Sequence, residues 1–241
     1  MDNQKYLHHI STSGHAIADA ARQSLDAPVL ACSPWCVADL LWHVGEVHLF
    51  WESIAASGST DPSSVVRANR PIDTDMIRWY EAGVDALVDT LSRLDPDQPV
   101  WTWSGPQTVS WIIRRMAHET AIHAWDAQWA VGMRPQIDPA LASDGIDEFV
   151  YVMTPHFREG QPIVGGSVHI HCTDVEGEWL LTPGDGLELI ATREHAKGSV
   201  ALRGSAEDLL LVLWRRSPRD VVEVIGNEAV ADRFLLRSDL D

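Results

Sequence analysis

The stretch AHETAIHAWDAQW, residues 117–129, contains residue types that bind divalent metals. His118, Glu119 and His123 come close to the zinc-protease motif H-E-x-x-H, but the two histidines are five positions apart instead of four. On a helix, five steps rotate a side chain by roughly 140°, so these two rings point in different directions. Glu119 and His123 differ by only about 40°. The spacing therefore excludes the protease motif and predicts an E-x-x-x-H pair on one helical face.

The candidate third ligand is His43, within the segment LLWHVGEVH of an earlier predicted helix. Metal sites in helical bundles take their ligands from facing helices. Two imidazoles and one carboxylate leave coordination positions open, as in a catalytic zinc site. Each part also has an ordinary explanation, because the E-x-x-x-H spacing is common on helix surfaces and His43 lies among apolar residues typical of a core. Spacing alone leaves both interpretations open.

Further polar residues have roles that the spacing does not assign. His48 and His118 each lie five positions from one of the candidate histidines, so we expect both to point away from a metal. Asp126, three residues after the E-x-x-x-H pair, either hydrogen-bonds a ligand histidine or lies on the helix surface. His169 and His171 alternate to one face of a predicted strand, where they either line a cleft or are exposed.

Composition excludes several classes of protein. The chain has 241 residues and a net charge of −17, and so acidic a surface repels nucleic acids and anionic membranes. No stretch approaches the ~20 apolar residues of a membrane span, and no signal peptide is visible. The chain has three cysteines, Cys32, Cys36 and Cys172, and this odd number suggests no disulfide framework. We interpret Cys32 and Cys36 as buried or capping thiols. We expect a cytoplasmic protein without nucleic-acid or membrane partners.

Hydrophobic periodicity predicts four long helices in the first half of the chain. Apolar residues recur at helical spacing, and segments rich in proline and glycine separate the four runs, which cover 3–26, 33–58, 74–94 and 109–131. Helices of this length joined by loops favour an antiparallel bundle over residues 1–135.

The second half mixes helices with strands. A helix is predicted over 139–156, a β-hairpin over 167–183, and strands within LELIATRE and GSVALRG. The helix SAEDLLLVLWRR follows, with Ser205 as its N-cap. A strand–helix pair, DVVEVIG and EAVADRFLL, ends the pattern. Residues 136–241 are therefore predicted to form a small α/β domain, which makes the fold class α+β.

Three separated segments resemble the mycothiol-dependent maleylpyruvate isomerase family. They are PWCVADLLWHVGEVHLFW, RRMAHETAIHAWDA, and SVHIHCTDVEGEWLL with GSAEDLLLVLWRR, and they cover nearly the whole chain in the family's order. The resemblance implies a DinB-like four-helix bundle followed by a sterol-carrier-like domain. It also implies that His43, Glu119 and His123 bind the metal. The family's catalytic arginine corresponds to Arg216, or to Arg215 if the helix shifts by one residue, and both are predicted cofactor-binding residues.

The resemblance further implies two cofactors, a divalent metal, with zinc preferred, and the actinobacterial thiol mycothiol. Zinc deprotonates a coordinated thiol. Our hypothesis is that the thiolate adds to an electron-poor double bond of an unsaturated acid, and that bond rotation and loss of the thiol give the trans isomer. Arg216 would pair with a substrate carboxylate or stabilise the developing enolate. The expected partners are this small substrate and the thiol, and the chain is expected to be a monomer or a homodimer.

Three other functions remain open at the level of the residues. A mycothiol S-transferase would use the same activated thiolate, but its adduct would leave as product. A non-catalytic metal-containing binding module would need no open coordination position. A metal hydrolase would use zinc-bound water and turn over without a thiol.

Overall fold

The first half of the chain folds into four long helices, as its periodicity predicts. The structure, a computed structural model, describes residues 1–156, 160, 162–185 and 188–237. The chain divides into two units, Met1–Gln136 and Ile137–Asp241. The helices of the first unit are α1 (Asn3–Gln23), α2 (Val37–Ser57), α3 (Asp73–Arg93) and α4 (Val109–Ala130).

Local chemistry explains where these helices begin and end. The Asp2 side chain accepts a hydrogen bond from the backbone of Lys5 at the start of α1 (2.9 Å). At the start of α2, the Asp39 carboxylate accepts from both the backbone N–H and the thiol of Cys36 (3.1 and 3.2 Å). Helix α2 ends at Gly58, whose φ of 62° is a left-handed conformation that glycine adopts without steric cost.

The four helices bury their apolar faces against one another. Helices α1 and α2 each pack against both α3 and α4, and this arrangement closes the bundle. Helix α4 is buried around most of its circumference, and its buried residues include polar side chains. A helix buried in this way places polar groups inside the bundle, where they need partners.

The second unit combines helices with a five-stranded sheet. The helix predicted over 139–156 is α5 (Pro139–Glu148), followed by a π-helical turn over Phe149–Met153 and a 3-10 turn over Thr154–His156. The strands are β1 (Val168–Cys172), β2 (Glu178–Pro183), β3 (Leu189–Thr192), β4 (Val200–Gly204) and β5 (Glu223–Gly226). Their order is β3-β2-β1-β4-β5, in which β1 and β4 are parallel and every other pair is antiparallel.

Two helices complete this unit, α6 (Ala206–Leu213) and α7 (Glu228–Arg237). Ser205 caps α6 as predicted, because its hydroxyl accepts a hydrogen bond from the backbone of Asp208 (3.1 Å). Both helices pack against β1 and β4. Val168 and Ile170 of β1 are fully buried, so one face of the sheet is its apolar core. The predicted α+β fold class is confirmed. Within the described residues, every helix is too short or too polar to span a lipid bilayer.

We predict opposite stability effects for alanine at two helical glycines of the bundle. A Cβ at Gly45 would lie against the ring of Trp79, 2.6 Å from its Cη2 and closer still to Cζ3. Gly45→Ala should therefore destabilise the fold by about 1–3 kcal/mol through overpacking. A Cβ at Gly83 would meet its nearest atom, Leu49 Cδ2, at 4.0 Å. Gly83→Ala should stabilise the fold by roughly 0.5–1 kcal/mol, because alanine is the better helix former.

Urea unfolding of the two variants beside the wild type measures both effects. Equal effects of the same sign would contradict the close packing of α2 against α3 at Gly45.

Candidate metal centre

Helices α2 and α4 bring the three predicted metal ligands together. His43 projects from α2, whereas Glu119 and His123 project from α4, one helical turn apart. Glu119 Oε1 lies 3.5 Å from His43 Nε2 and 3.3 Å from His123 Nε2. One ligand atom from each residue lies within 4.8 Å of the other two. We refer to His43, Glu119 and His123 as the bundle centre.

A buried arginine stabilises the charge of the carboxylate in the bundle centre. Arg115, one turn before Glu119 on α4, is only 8% exposed and forms an ion pair with it. Burial alone would raise the pKa of Glu119, but the Arg115 charge and hydrogen bonds from His123 and His43 outweigh burial and hold that pKa well below its ordinary value. Glu119 is therefore ionised at neutral pH.

A second carboxylate orients His123. Asp126 is buried, and its Oδ2 lies 3.0 Å from His123 Nδ1, which leaves His123 Nε2 facing Glu119. The Cys32 thiol lies 3.7 Å from the same Asp126 oxygen. Burial lowers the pKa of His123, but hydrogen bonds with Asp126, Cys32 and Glu119 raise it well above its ordinary value. Two carboxylates thus flank one imidazole, and a bound cation would balance their charge in place of a proton.

An open space adjoins the bundle centre. A cavity of about 320 Å³ is lined by His43 and Glu46, by apolar side chains of α2 such as Phe50, and by the segment 65–68. Glu46 lies 3.8 Å from the guanidinium of Arg67, which also lines the cavity. A volume of this size is in the range of small-molecule pockets. His43 therefore lies between the other two candidate ligands and a space that can hold a small molecule.

The residues whose roles the spacing left open lie in distinct environments. His48 is fully buried, and its Nε2 lies 2.8 Å from Thr120 Oγ1. Because that hydroxyl donates to the carbonyl of Met116 (2.6 Å), His48 must donate from Nε2. His118 packs edge-on against Tyr6, with ring centroids 6.0 Å apart. Neither histidine belongs to a group of potential metal ligands among the described residues.

Two residues of the site did not emerge from the sequence reasoning. Arg115 lies four residues before Glu119, so its position on the same helical face was available from spacing alone. Cys32 was interpreted as a buried or capping thiol, yet it forms a second potential ligand group with His123 and Asp126. No spacing rule links Cys32 to α4, because two whole helices, α2 and α3, and their loops separate the two in sequence.

The two predicted cofactor-binding arginines lie in the second unit, just beyond α6. The helix was predicted to extend to Arg216, but it ends at Leu213. Arg215 has a left-handed φ of 62°, and Arg216 donates its backbone N–H to Leu211 O (2.7 Å). The Arg215 N–H also donates to Val212 O (3.2 Å), and the two bonds form a Schellman turn, in which a left-handed residue ends the helix. A non-glycine residue at such a position carries backbone strain.

The remaining predicted residues also lie in the second unit. His169 and His171 point to the same face of β1, where Glu178 is close to both. Cys172 is buried, and burial raises the pKa of its thiol to about 12. A thiol with such a pKa is protonated at neutral pH and is a poor nucleophile.

Comparison with known proteins relates both units to one family. Residues 8–128 match the mycothiol maleylpyruvate isomerase N-terminal domain, and residues 140–233 match the MDMPI C-terminal domain. Two solved structures align with the chain, a mycothiol-dependent maleylpyruvate isomerase and a histidine-to-alanine mutant of that enzyme. Each has a TM-score of 0.65 and 13% sequence identity, and each alignment covers 93% of both chains. At this identity the likeness shows a shared fold. No curated protein sequence matches the chain.

We predict that His48 makes the fold sensitive to acid. Burial lowers its pKa from 6.5 to about 4. Between pH 6.5 and 4, His48 is therefore protonated in the unfolded chain and neutral in the folded chain. The free energy of unfolding falls as the pH drops through this range. The full loss from this group is roughly 3 kcal/mol. In His48→Gln, which keeps a polar partner for Thr120, this part of the loss should disappear.

The measurement is the free energy of unfolding by urea, with a chelator present, at pH 7.5 and 4.5 for both proteins. Parallel losses of stability in the wild type and in His48→Gln would contradict the prediction.

Proposed function

Because the chain belongs to the mycothiol maleylpyruvate isomerase family, we propose that it is a metal- and mycothiol-dependent enzyme that converts a cis unsaturated acid into its trans isomer. The family membership inferred from three sequence motifs is confirmed by matches to both units. Maleylpyruvate, the substrate in the name of the structural relatives, is the first candidate substrate.

The strongest support for the proposal is that two imidazoles and a carboxylate from two helices converge on one point. His43, Glu119 and His123 place their ligand atoms within 4.8 Å of one another beside a cavity. Three protein ligands leave coordination positions for a thiol or a substrate. A divalent metal bound there, zinc by preference, would keep a coordinated thiol deprotonated near neutral pH.

The donors around this centre fit a divalent cation. Glu119 is held ionised by Arg115, and Asp126 fixes the ring of His123 through its Nδ1. Such a carboxylate–histidine pair is the usual support of a metal-binding imidazole. Imidazole and carboxylate ligands suit zinc and also nickel, iron and cobalt. We propose zinc because the three-ligand set matches its catalytic sites.

The cavity beside His43 supports binding of a small acid. Apolar side chains of α2 line much of it, and Arg67 supplies a cation at its edge. The Arg67 side chain is 87% exposed and lies 3.8 Å from Glu46. In a chain of charge −17, a cation at the cavity edge attracts a substrate carboxylate. Arg67 thus becomes a candidate substrate-binding residue of the first unit.

We assign Arg216 the role of pairing with a substrate carboxylate or stabilising the developing enolate. Its guanidinium donates to the carbonyl of Trp214 (2.7 Å), which limits the directions it can take. Arg215, held in the left-handed turn before it, is the second proposed cofactor-binding residue. Strained backbone that persists in a fold often marks a functional position.

We predict that His123→Ala loses metal and thiol binding together. The variant should contain one equivalent of zinc less per chain than the wild type, because two ligands hold a metal far more weakly than three. Its affinity for mycothiol should fall at least about tenfold, since the thiol binds through the same centre. Elemental analysis and calorimetry on the same preparation measure the two quantities.

The matched control is His8→Ala, which removes an exposed histidine of α1. It should keep wild-type zinc content and thiol affinity. Loss of zinc with unchanged thiol binding would contradict a metal-bound thiol and would favour the hydrolase or the binding module. Wild-type zinc content in His123→Ala would remove the bundle centre as a metal site.

Turnover of maleylpyruvate with mycothiol tests the reaction itself. We predict that the trans isomer forms and that free mycothiol is recovered in full. Arg216→Ala should lower kcat by about 10²–10³, as expected when one stabilising donor is removed from a developing oxyanion. The control is Arg203→Ala, an exposed arginine of β4 that pairs with Glu223, and it should keep wild-type kcat.

Mycothiol consumed in proportion to product would contradict isomerisation and identify an S-transferase. Cleavage of the substrate by water without any thiol would identify a hydrolase. Equal activity of the two arginine variants would remove Arg216 from the catalytic machinery.

A further inference from the structure

Four potential metal ligands lie together in the second unit, on the face of the sheet opposite its apolar core. His169 and His171 lie two residues apart on β1 and therefore share a face, while the intervening Ile170 is fully buried on the other. Glu178 of β2 is directly opposite His171 in the antiparallel register. His195 lies in the segment that follows β3. We refer to His169, His171, Glu178 and His195 as the sheet cluster.

The carboxylate of Glu178 is the centre of this cluster. Its Oε1 lies 2.7 Å from His171 Nδ1, and its Oε2 lies 2.6 Å from His195 Nδ1 and 3.7 Å from His169 Nε2. The three imidazole centroids are 5.6–6.1 Å apart. One ligand atom from each of the four residues lies within 4.8 Å of the other three. Two rings of β1 and one ring from the segment after β3 thus surround the Glu178 carboxylate.

His169 distinguishes this cluster from an ordinary group of surface polar residues. Its side chain is more than nine-tenths buried, and its Nε2 is buried without a hydrogen-bond partner. The oxygen of Glu178 at 3.7 Å is too distant to satisfy that nitrogen. A buried nitrogen without a partner costs about 1–3 kcal/mol. Burial also lowers the pKa of His169, so the imidazole is neutral and can offer a lone pair.

We infer that His169, His171, Glu178 and His195 form a second divalent-metal site, selective for zinc and separate from the bundle centre. Imidazole-rich sites favour zinc over magnesium or calcium, which prefer oxygen ligands. In tetrahedral zinc, ligand atoms lie roughly 3.3–3.4 Å apart when bonds are about 2.0–2.1 Å long. The four donors lie within 4.8 Å of one another, so the widest pairs must close by roughly 1.5 Å to reach that spacing. His195 can rotate without disturbing the core, because its side chain is 79% exposed.

The number of ligands indicates what this site does. Four protein ligands complete the tetrahedron and leave no position for substrate, which is the pattern of a structural zinc site. The ion would join β1, β2 and the segment after β3, and it would satisfy the buried nitrogen of His169. The predicted role is therefore to stabilise the second unit, in contrast to the three-ligand bundle centre.

Zinc binding to the full chain tests this site independently of the proposed enzyme. The background is the double variant His43→Ala/His123→Ala, which removes two ligands of the bundle centre. After chelator treatment and titration with zinc chloride, it should bind one zinc per chain. Zinc should raise its Tm, because a ligand that binds the folded state stabilises it. Cobalt substitution should give the visible absorption of a tetrahedral site.

Adding His195→Ala to this background should weaken zinc binding at least about tenfold and abolish the Tm increase. His195 is exposed, so the variant should keep the Tm of the zinc-free background, which shows that the fold is intact. His169→Gln in the same background should have a similar effect on zinc affinity. The matched control adds His8→Ala, an exposed histidine outside both sites, and should retain the zinc.

The inference fails if the double variant binds no zinc, or if its zinc affinity is unchanged by both His195→Ala and His169→Gln. The reverse experiment separates the two proposals. In an otherwise wild-type chain, His195→Ala should lose one zinc yet keep mycothiol affinity. Loss of the sheet-cluster zinc thus lowers the zinc content alone, whereas a bundle centre that binds no metal would leave the zinc content of His123→Ala unchanged.

Discussion

A carboxylate that lies mostly inside a helical bundle must have its charge balanced by nearby groups, because the desolvation of an unpaired charge would cost more than most folds can tolerate. Glu119 meets this requirement through Arg115 on its own helix and through His43 and His123. These partners come from α2 and α4, so satisfying one charge also constrains how these two helices pack. The same partners make Glu119 a metal ligand candidate, since a carboxylate kept ionised inside a protein is already prepared to bind a cation.

Helix α4 supplies most of this arrangement. Arg115, Glu119 and His123 follow one another at four-residue intervals, so one helical face carries a cation, a carboxylate and an imidazole in register. Asp126 supports His123 from the next turn. Because these side chains stand on a rigid helix that is buried on most sides, their geometry is held by packing rather than by loops. The cavity beside His43 then provides the space in which chemistry can take place.

The two units gather potential metal ligands in different ways. In the bundle, the candidate ligands come from long helices and number three, which suits the proposed binding of a thiol or a substrate. In the sheet, the alternation of β1 and its register with β2 place His169, His171 and Glu178 together, and His195 adds a fourth donor. The proposed closed and open coordination thus follow from the number of donors that each architecture brings to one point.

The sequence by itself determined the features that depend on neighbours along the chain. Helical and strand periods, the cap at Ser205 and the pairing of Glu119 with His123 are local, so the α+β fold class and the order of elements could be predicted, and the motifs identified the family. His43 was already a candidate because it lies on a predicted facing helix, and the resemblance favoured it, whereas Arg115 was overlooked although its spacing was visible. Only the tertiary structure decided that Cys32 lies beside Asp126, that α6 ends before Arg216, and that His195 joins Glu178. Helix α6 ends in a turn whose hydrogen bonds are local, but no glycine marks its left-handed position at Arg215, so the sequence pattern does not indicate it. The places of Cys32 and His195 depend on how elements distant in sequence pack together, and no local periodicity encodes that packing.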